Sequence, residues 1–578
     1  MRTFVCLVLF LFLFFKSNSQ KLGWNSFDAK IFEIAKSENK FVLLNIGASW
    51  CHWCHVMNDS TYHNPEVLKF LNNNFILSYE NQDERPDLFA KYKDYGWPAI
   101  ILFDNKGNEL KKLSGYFNPR EFKTILNNVI SASYIPEKNL VSNSDYFTWN
   151  DSIEKFITDD YKSYLDFSDG GFLMYQKYID LDAFEFAIRN YKKDKDLEKW
   201  MEISIQNSFL INDTVWGGVY QYSTKQGWYF PHYEKLLSIQ ARYIKIYALH
   251  YAEFRDFRSL NAIMNIKKYL DRFLKSKSGL YYNSQDADSK KGIHSFDFFR
   301  LSNVDRMKLE TPPIDTNSYC RESAFLAESF LYAWIATGNK MFLDEAKLLT
   351  SLIIEKFKSQ KGFLHNSKQS PEELGLLDNI SVAKLLVLMY SIAQQKIYKD
   401  EISFVAEKII ENFRSEDFGY YAYKSIQNPI KPTKLLSENI ELARVFNKIS
   451  YILNNNNYKL EAKKIFRFIM SKNVISSIIS EPAIILLHNE IEKEPLKFVF
   501  IRHQTDTNWN GIFDLLWKKI PDKFLLETVD VSLNDGNYKE MVEASANLNC
   551  LFCCTSNRCS SPIYSLDDID KLLFYIDN

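Results

Sequence analysis

Two cysteines three residues apart, Cys51-His52-Trp53-Cys54, with His55 directly after them, are the first residues whose types and spacing could do chemistry. A pair at this spacing serves redox exchange, zinc binding or coincidence. Phe41 to Ile46 is an apolar run with strand character, and Gly47-Ala48-Ser49 leads through Trp50 into the cysteines with no further glycine or proline. The stretch is expected to be a strand, a tight turn and a helix opening on Cys51. On the first turn of a helix, sulfurs three residues apart come within disulfide reach, and the unpaired N–H groups and positive helix end favour a thiolate on the first. Cys51 is therefore the expected attacking thiol and Cys54 the resolving one. His52, when protonated, adds positive charge beside Cys51. A metal site made of Cys51, His52, Cys54 and His55 is the weaker reading; no metal and no cofactor are expected.

A second group lies further on. Gln226-Gly227-Trp228-Tyr229-Phe230-Pro231-His232-Tyr233-Glu234-Lys235 and Ser284-Gln285-Asp286-Ala287-Asp288-Ser289 hold a Trp, a His, a Glu and two Asp. At one cavity mouth these residues would make a polyhydroxyl-binding or acid–base site, with Trp228 as a stacking platform, His232 as acid or base, and Glu234, Asp286 and Asp288 beside it. The bland alternative is that His232 and Glu234 cap the next helix and the two Asp shape a turn. Chain spacing does not fix the separation of the carboxylates.

The elements that must position the first group follow in order. A helix is expected from Pro65 to Leu71, a strand from Phe75 to Tyr79, then Gly96-Trp97-Pro98, a strand from Ala99 to Phe103, a turn at Asp104-Asn105-Lys106-Gly107, a strand from Leu110 to Leu113 and a helix from Pro119 to Ile130. This order, with a proline just before the third strand, resembles the thioredoxin arrangement. The resemblance implies that Pro98 is cis and packs against the cysteine pair.

The second group belongs to a different architecture. From about 150 to 495 the pattern is of long amphipathic helices, expected at 151–165, 180–192, 196–211, 233–254, 258–275, 319–337, 341–357, 376–396, 400–413, 434–452, 457–471 and 480–492. Five alternate helices are followed by a glycine-aromatic phrase: Gly170-Gly171-Phe172, Gly217-Gly218-Val219-Tyr220, Gly279-Leu280-Tyr281-Tyr282, Gly362-Phe363-Leu364 and Gly419-Tyr420-Tyr421. A phrase recurring at the same point of successive helix pairs is an internal repeat. Six such hairpins closing on themselves make an α/α toroid. Strands over 496–501 and 526–531 with helices over 512–518 and 566–575 then make a small α/β appendage. The chain is thus expected to be multidomain, α/β plus all-α: a leader at 1–20, a thioredoxin-like domain at 21–135, a toroid at 145–495 and a cysteine-containing region at 496–578.

Composition bounds the rest. A chain of 578 residues exceeds what one core usually serves. A net charge of −1 with no long basic run argues against nucleic acid as a partner. Arg2 precedes an apolar run from Phe4 to Phe15 that ends in Lys16-Ser17-Asn18-Ser19-Gln20, which suits a cleaved signal and a periplasmic or secreted product with no stable membrane span. No later segment reads as a transmembrane helix. Cys320 stands alone, while Cys550, Cys553, Cys554 and Cys559 admit a zinc site, two disulfides, or one disulfide with free buried thiols.

Several motifs taken together resemble the spermatogenesis-associated protein 20-like family of thioredoxin-domain proteins, also called domain of unknown function 255. They are Cys51-His52-Trp53-Cys54-His55-Val56-Met57, Asp83-Glu84-Arg85-Pro86-Asp87, Gly96-Trp97-Pro98, Trp228 with Pro231-His232-Tyr233-Glu234-Lys235, Asp286-Ala287-Asp288-Ser289 and Cys559-Ser560-Ser561-Pro562. The resemblance implies a thioredoxin-like domain joined to a six-hairpin toroid similar to those of sugar epimerases and glycosidases. It leaves two functions open. The first is thiol–disulfide exchange outside the cytoplasm, with a disulfide-containing client or small thiol as partner and the toroid holding the client or its glycan. The second is a carbohydrate-active or carbohydrate-binding toroid with a regulatory or structural thioredoxin unit.

Overall fold

The computed structural model describes residues 22–131, 145–291, 296–425, 428–503, 524–531, 538–555, 558–565 and 568. The expected leader, the expected 512–518 helix and nearly all of the expected 566–575 helix lie outside the described residues. Up to residue 131 the elements are β1 (Trp24–Asn25), α1 (Lys30–Glu38), β2 (Phe41–Gly47), α2 (His52–Val56), α3 (Pro65–Asn74), β3 (Phe75–Asn81), α4 (Pro86–Tyr92), β4 (Ala99–Phe103), β5 (Glu109–Ser114) and α5 (Pro119–Ser131). The described residues pack as two compact units. One holds 22–47, 53–80 and 97–131; the other holds 48–52, 81–96 and everything described from 145 onward.

The first unit is a five-stranded sheet in the order β1-β3-β2-β4-β5, with β2 and β4 antiparallel in the middle. Their sequences, FVLLNIG and AIILF, are near-continuous apolar runs, as strands covered on both faces must be. Leu43, Ile100 and Leu102 of those strands meet Met57, Tyr62, Leu71 and Phe122 in one core. Helix α3 begins where Asn64 Oδ1 accepts the N–H groups of Glu66 and Val67 and Pro65 supplies a preset φ. The Trp97–Pro98 peptide is cis, as the thioredoxin resemblance implies. Strand order and helix positions follow the expected thioredoxin-like arrangement.

In the second unit the helices are α6 (Asp151–Tyr164), α7 (Leu181–Asn190), α8 (Lys195–Ser208), α9 (Leu237–Phe254), α10 (Phe257–Tyr269), the short α11 (Phe296–Arg300) and α12 (Asn303–Arg306), α13 (Cys320–Thr337), α14 (Lys340–Phe357), α15 (Leu376–Ala393), α16 (Lys396–Phe413), α17 (Leu436–Ile452), α18 (Asn456–Ile469), the short α19 (Lys472–Ile475) and α20 (Ala483–Glu492). Each of the twelve expected helices is present. Helices α7, α9, α13, α15, α17 and α20 touch in that cyclic order and close an inner ring. Among the described helices, α15 is long and apolar enough to cross a membrane by length and composition, which corrects the expectation that no segment after the leader would be. It is mostly buried, because a helix apolar on every side suits an inner ring covered by an outer one.

The turns explain the repeat. Inner helices α9, α13 and α15 end in a left-handed residue, Arg255, Gly338 and Gln394. The residue after Arg255 or Gly338, Asp256 or Asn339, caps the outer helix that follows. On the return side each glycine-aromatic phrase folds back on the end of the outer helix, as in the bridges Leu165–Phe172, Asn212–Val219, Lys275–Tyr281 and Arg414–Tyr420. At three of the five phrases the fourth residue of the next inner helix then clamps the phrase. Gln240 accepts the Val219 N–H and donates to its carbonyl; Asn379 does so at Phe363 and Asn439 at Tyr420. Glycine is required at Gly217, where φ is +81° and a Cβ would lie 2.3 Å from the Asn265 carbonyl oxygen.

Paired charges tie inner-ring helices to one another. Arg444 of α17 bonds Glu185 of α7 at 2.7 Å and Glu490 of α20 at 2.8 Å, while Lys245 of α9 bonds Glu328 of α13 at 2.8 Å. Residues 496–502 form a strand parallel to 524–530 and antiparallel to 550–554. The late cysteines take the third of the three expected forms: Cys554 and Cys559 are bonded, Cys550 is free and buried, and Cys553 is free and half-buried.

Candidate thiol site and its carboxylate neighbours

Strand β2 ends at Gly47, where a Cβ would lie 3.1 Å from the Tyr79 hydroxyl and 3.4 Å from Cys54 Sγ. The chain turns through Ala48, whose carbonyl accepts the Cys51 N–H, and enters α2 at His52. Cys51 and Cys54 are both disulfide-bonded and only 4% and 9% exposed. Pro98 is buried, and its carbonyl accepts the Gly115 N–H. Trp53 is 44% exposed and stacks on Tyr116.

Within the second unit, the short 48–52 stretch is held by two side chains. Trp50 Nε1 donates to Asp83 Oδ2 at 2.7 Å. His52 Nδ1 lies 2.9 Å from each carboxylate oxygen of Asp288. His52 is buried and Asp288 wholly so, and an ionised carboxylate out of water demands such a partner. Asp288 is fixed in its turn: its N–H donates to Asp286 Oδ1, the Asp286 N–H donates to the Pro313 carbonyl, and Ser284–Gln285 pairs with both Lys235–Leu236 and Ile314–Asp315.

The second expected group divides. Glu234, Asp286 and Asp288 are all buried and close enough to interact: burial, with the added fields of the two aspartates, pushes the Glu234 carboxyl up to about 8. His232 joins at the edge, with Nδ1 3.9 Å from Glu234 Oε2 and its ring stacked on Tyr222. Trp228 departs from expectation. It is fully buried, with Nε1 donating to the Asp169 carbonyl, so its faces are packed and none is offered to a ligand. Lys235 is structural as well, buried between Asp213 Oδ2 at 2.7 Å and the Gly217 carbonyl. Burial lowers its amine to about 8.

Residues that sequence reasoning did not single out also gather here. The Asp83 carbonyl accepts from His365 Nε2 at 2.7 Å, and His365 Nδ1 lies 2.8 Å from Asp378 Oδ1. Tyr319 stacks on the His365 ring, and the Arg321 guanidinium lies over Phe89 of α4. Burial raises the Asp83 carboxyl to about 7, against the lowering effect of the Trp50 hydrogen bond and with help from Glu322 and Asp315. Burial disfavours charge on His365, but the Asp378 carboxylate outweighs it and the ring is raised. The Asp83-Glu84-Arg85-Pro86-Asp87 motif was the available signal for Asp83; no local pattern marks His365.

Residues 12–159 match the family described as Thioredox_DsbH, protein of unknown function, DUF255. Spermatogenesis-associated protein 20 of Mus musculus is 26% identical over 312 residues, covering 46% of this chain and 39% of that protein. The chain therefore aligns with well under half the length of this relative. The thiol:disulfide interchange protein DsbD of Yersinia pestis is 29% identical over 100 residues, 16% of this chain and 17% of that protein. Among solved structures, a D-mannose isomerase aligns with TM-score 0.46 at 12% identity, covering 59% of this chain and 96% of its own.

Proposed function

We propose that the chain, which is similar to the spermatogenesis-associated protein 20-like thioredoxin-domain proteins, performs thiol–disulfide exchange at Cys51 and Cys54. The observation that carries this reading is the bonded cysteine pair at the opening of a helix after a buried strand, with His52 between the sulfurs in sequence. In the reducing direction, Cys51 thiolate attacks one sulfur of a client disulfide, forming a mixed disulfide and releasing the other client sulfur as thiolate. Cys54 thiolate then attacks Cys51 Sγ, closing the Cys51–Cys54 bond and releasing the second client thiolate. The client gains two electrons and the pair loses two, to be restored by an external dithiol. The oxidising direction is the reverse. We place the reaction outside the cytoplasm, where the expected leader would deliver the chain and where a disulfide persists.

Differential alkylation with mass spectrometry across glutathione buffers tests the reading. A reversible Cys51–Cys54 couple is expected, with Cys54→Ser trapping mixed disulfides and Cys51→Ser trapping none. A bond reducible only after denaturation, or zinc co-purifying one-to-one and lost in either variant, would sink it.

A carbohydrate-binding toroid is the second reading, favoured by the convergence of Glu234, Asp286 and His232. It no longer has Trp228 as a platform, and Asp288 already serves His52. Glu234→Gln tests it: loss of sugar binding with exchange intact would establish a separate site.

A further inference from the structure

We propose that Asp288 is a positioning residue for the Cys51–Cys54 pair, acting through His52: its carboxylate accepts the Nδ1 hydrogen and so fixes the orientation of the ring that follows Cys51 in the chain. The inference rests on the thiol-exchange reading. Three observations carry it. Both Asp288 oxygens lie 2.9 Å from one nitrogen, so the ring is held on the axis of the carboxylate. Asp288 is wholly buried on a braced loop, which gives the acceptor a set position. His52 is the residue directly after Cys51 and the first of α2, so whatever orients this ring orients the nearest titratable group to the thiol along the chain.

A histidine beside a cysteine stabilises the thiolate only when a ring proton stands in the right place. In a C-x-x-C pair that stabilisation favours the reduced form and makes the disulfide a stronger oxidant. A loop some 236 residues away in sequence thereby sets the chemistry of the cysteines. Charged groups near this dyad in the same unit include Asp286 and Glu234 beside Asp288, His232 beyond Glu234, and Asp315 at Ser49.

The test uses the full chain with Cys54→Ser, so that Cys51 is a free thiol and no turnover is needed, and reads peptide-resolved alkylation of Cys51 against pH. Asp288→Asn is expected to slow alkylation at pH 6 about tenfold, one pH unit of midpoint shift. His52→Ala is expected to slow it by a similar factor. The double variant His52→Ala with Asp288→Asn should be no slower than His52→Ala alone, because a residue that acts through another adds nothing once that other is gone. With Cys54 restored, Asp288→Asn should make the Cys51–Cys54 couple less oxidising. Should Asp288→Asn fail to fold, Asp288→Glu, which keeps the charge at another reach, is read in the same way and should give a smaller slowing that also vanishes without His52. An unchanged midpoint in the folded variants, or a double variant slowed by the product of the two single effects, would overturn the proposal. Failure of the wild-type pair to form a reversible disulfide would instead remove the exchange reading, and the alkylation profiles would still report whether Asp288 acts on Cys51.

Discussion

The chain carries the spacing Cys-x-x-Cys twice, as Cys51-His52-Trp53-Cys54 at the opening of a helix and as Cys550-Leu551-Phe552-Cys553 on a strand. Along a strand, residues i and i+3 face opposite sides and their Cα atoms stand about 10 Å apart, beyond the reach of a disulfide. Cys550 and Cys553 are accordingly free, and burial alone pushes both thiols up to about 11. Cys320 sharpens the contrast from the other side. It opens a long helix, α13, yet it is completely buried beside Asp378 and Glu322, and burial and those two charges raise its thiol well above the ordinary value. Spacing brings sulfurs together only on a helix, and a helix start favours a thiolate only where neighbouring charge and burial do not oppose it.

The largest expected effect tests that contrast directly. Cys51→Ser should bring client-disulfide reduction to the uncatalysed rate, whereas Cys320→Ser, Cys550→Ser and Cys553→Ser should each keep it within about twofold of wild type. A comparable loss in Cys550→Ser would erase the distinction between helix and strand pairs.

Next in size is thiol reactivity against pH. In the folded, reduced chain, Cys550 and Cys553 should reach half-maximal alkylation only near pH 11, the pH at which burial allows their thiolates to form. Cys51 should reach it below about 8.5, the value of an unperturbed thiol. Mass spectrometry of the labelled peptides gives all three midpoints in one titration.

A moderate effect is expected at the bonded cysteines of the second region. Cys554 and Cys559 close a loop with a sequence separation of 5. Replacing both with Ser should cost about 2 kcal/mol in denaturant unfolding, the loop-closure value for so short a span. Exchange activity should be unaffected.

A further, pH-dependent effect concerns the buried Glu234 carboxyl. The folded value of Glu234, about 8, lies above its ordinary 4.5. A raised carboxyl contributes stability that is fully present below the ordinary value and is lost as pH rises through the folded one. Wild-type urea midpoints should therefore fall between pH 5 and pH 8.5. Glu234→Gln, which mimics the protonated acid, should fall less over the same range.

Local pattern accounts for much of this architecture. The twelve long helices were readable because apolar residues recur at helical spacing, while the caps at Asp256 and Asn339 appeared only in the folded turns. Strands β2 and β4 were readable as apolar runs bounded by turn residues, and Cys51 and Cys54 as a pair following one of them. The glycine-aromatic phrases were visible as a repeat, although the amide that clamps three of them, at the fourth residue of the next inner helix, emerged only from Gln240, Asn379 and Asn439 in place.

What the sequence determined by itself was therefore periodicity, turn chemistry and the identity of the thiol pair, all of which act over a few residues. Tertiary structure alone decided which distant groups meet. It packs residues 48–52 and 81–96 with the helical unit, buries Trp228 against Asp169, brings His365 to the Asp83 carbonyl and sets Asp288 on His52. Each of these contacts joins segments tens to hundreds of residues apart, so the closing of the ring and the bracing of its loops choose the partner. No spacing along the chain encodes that choice.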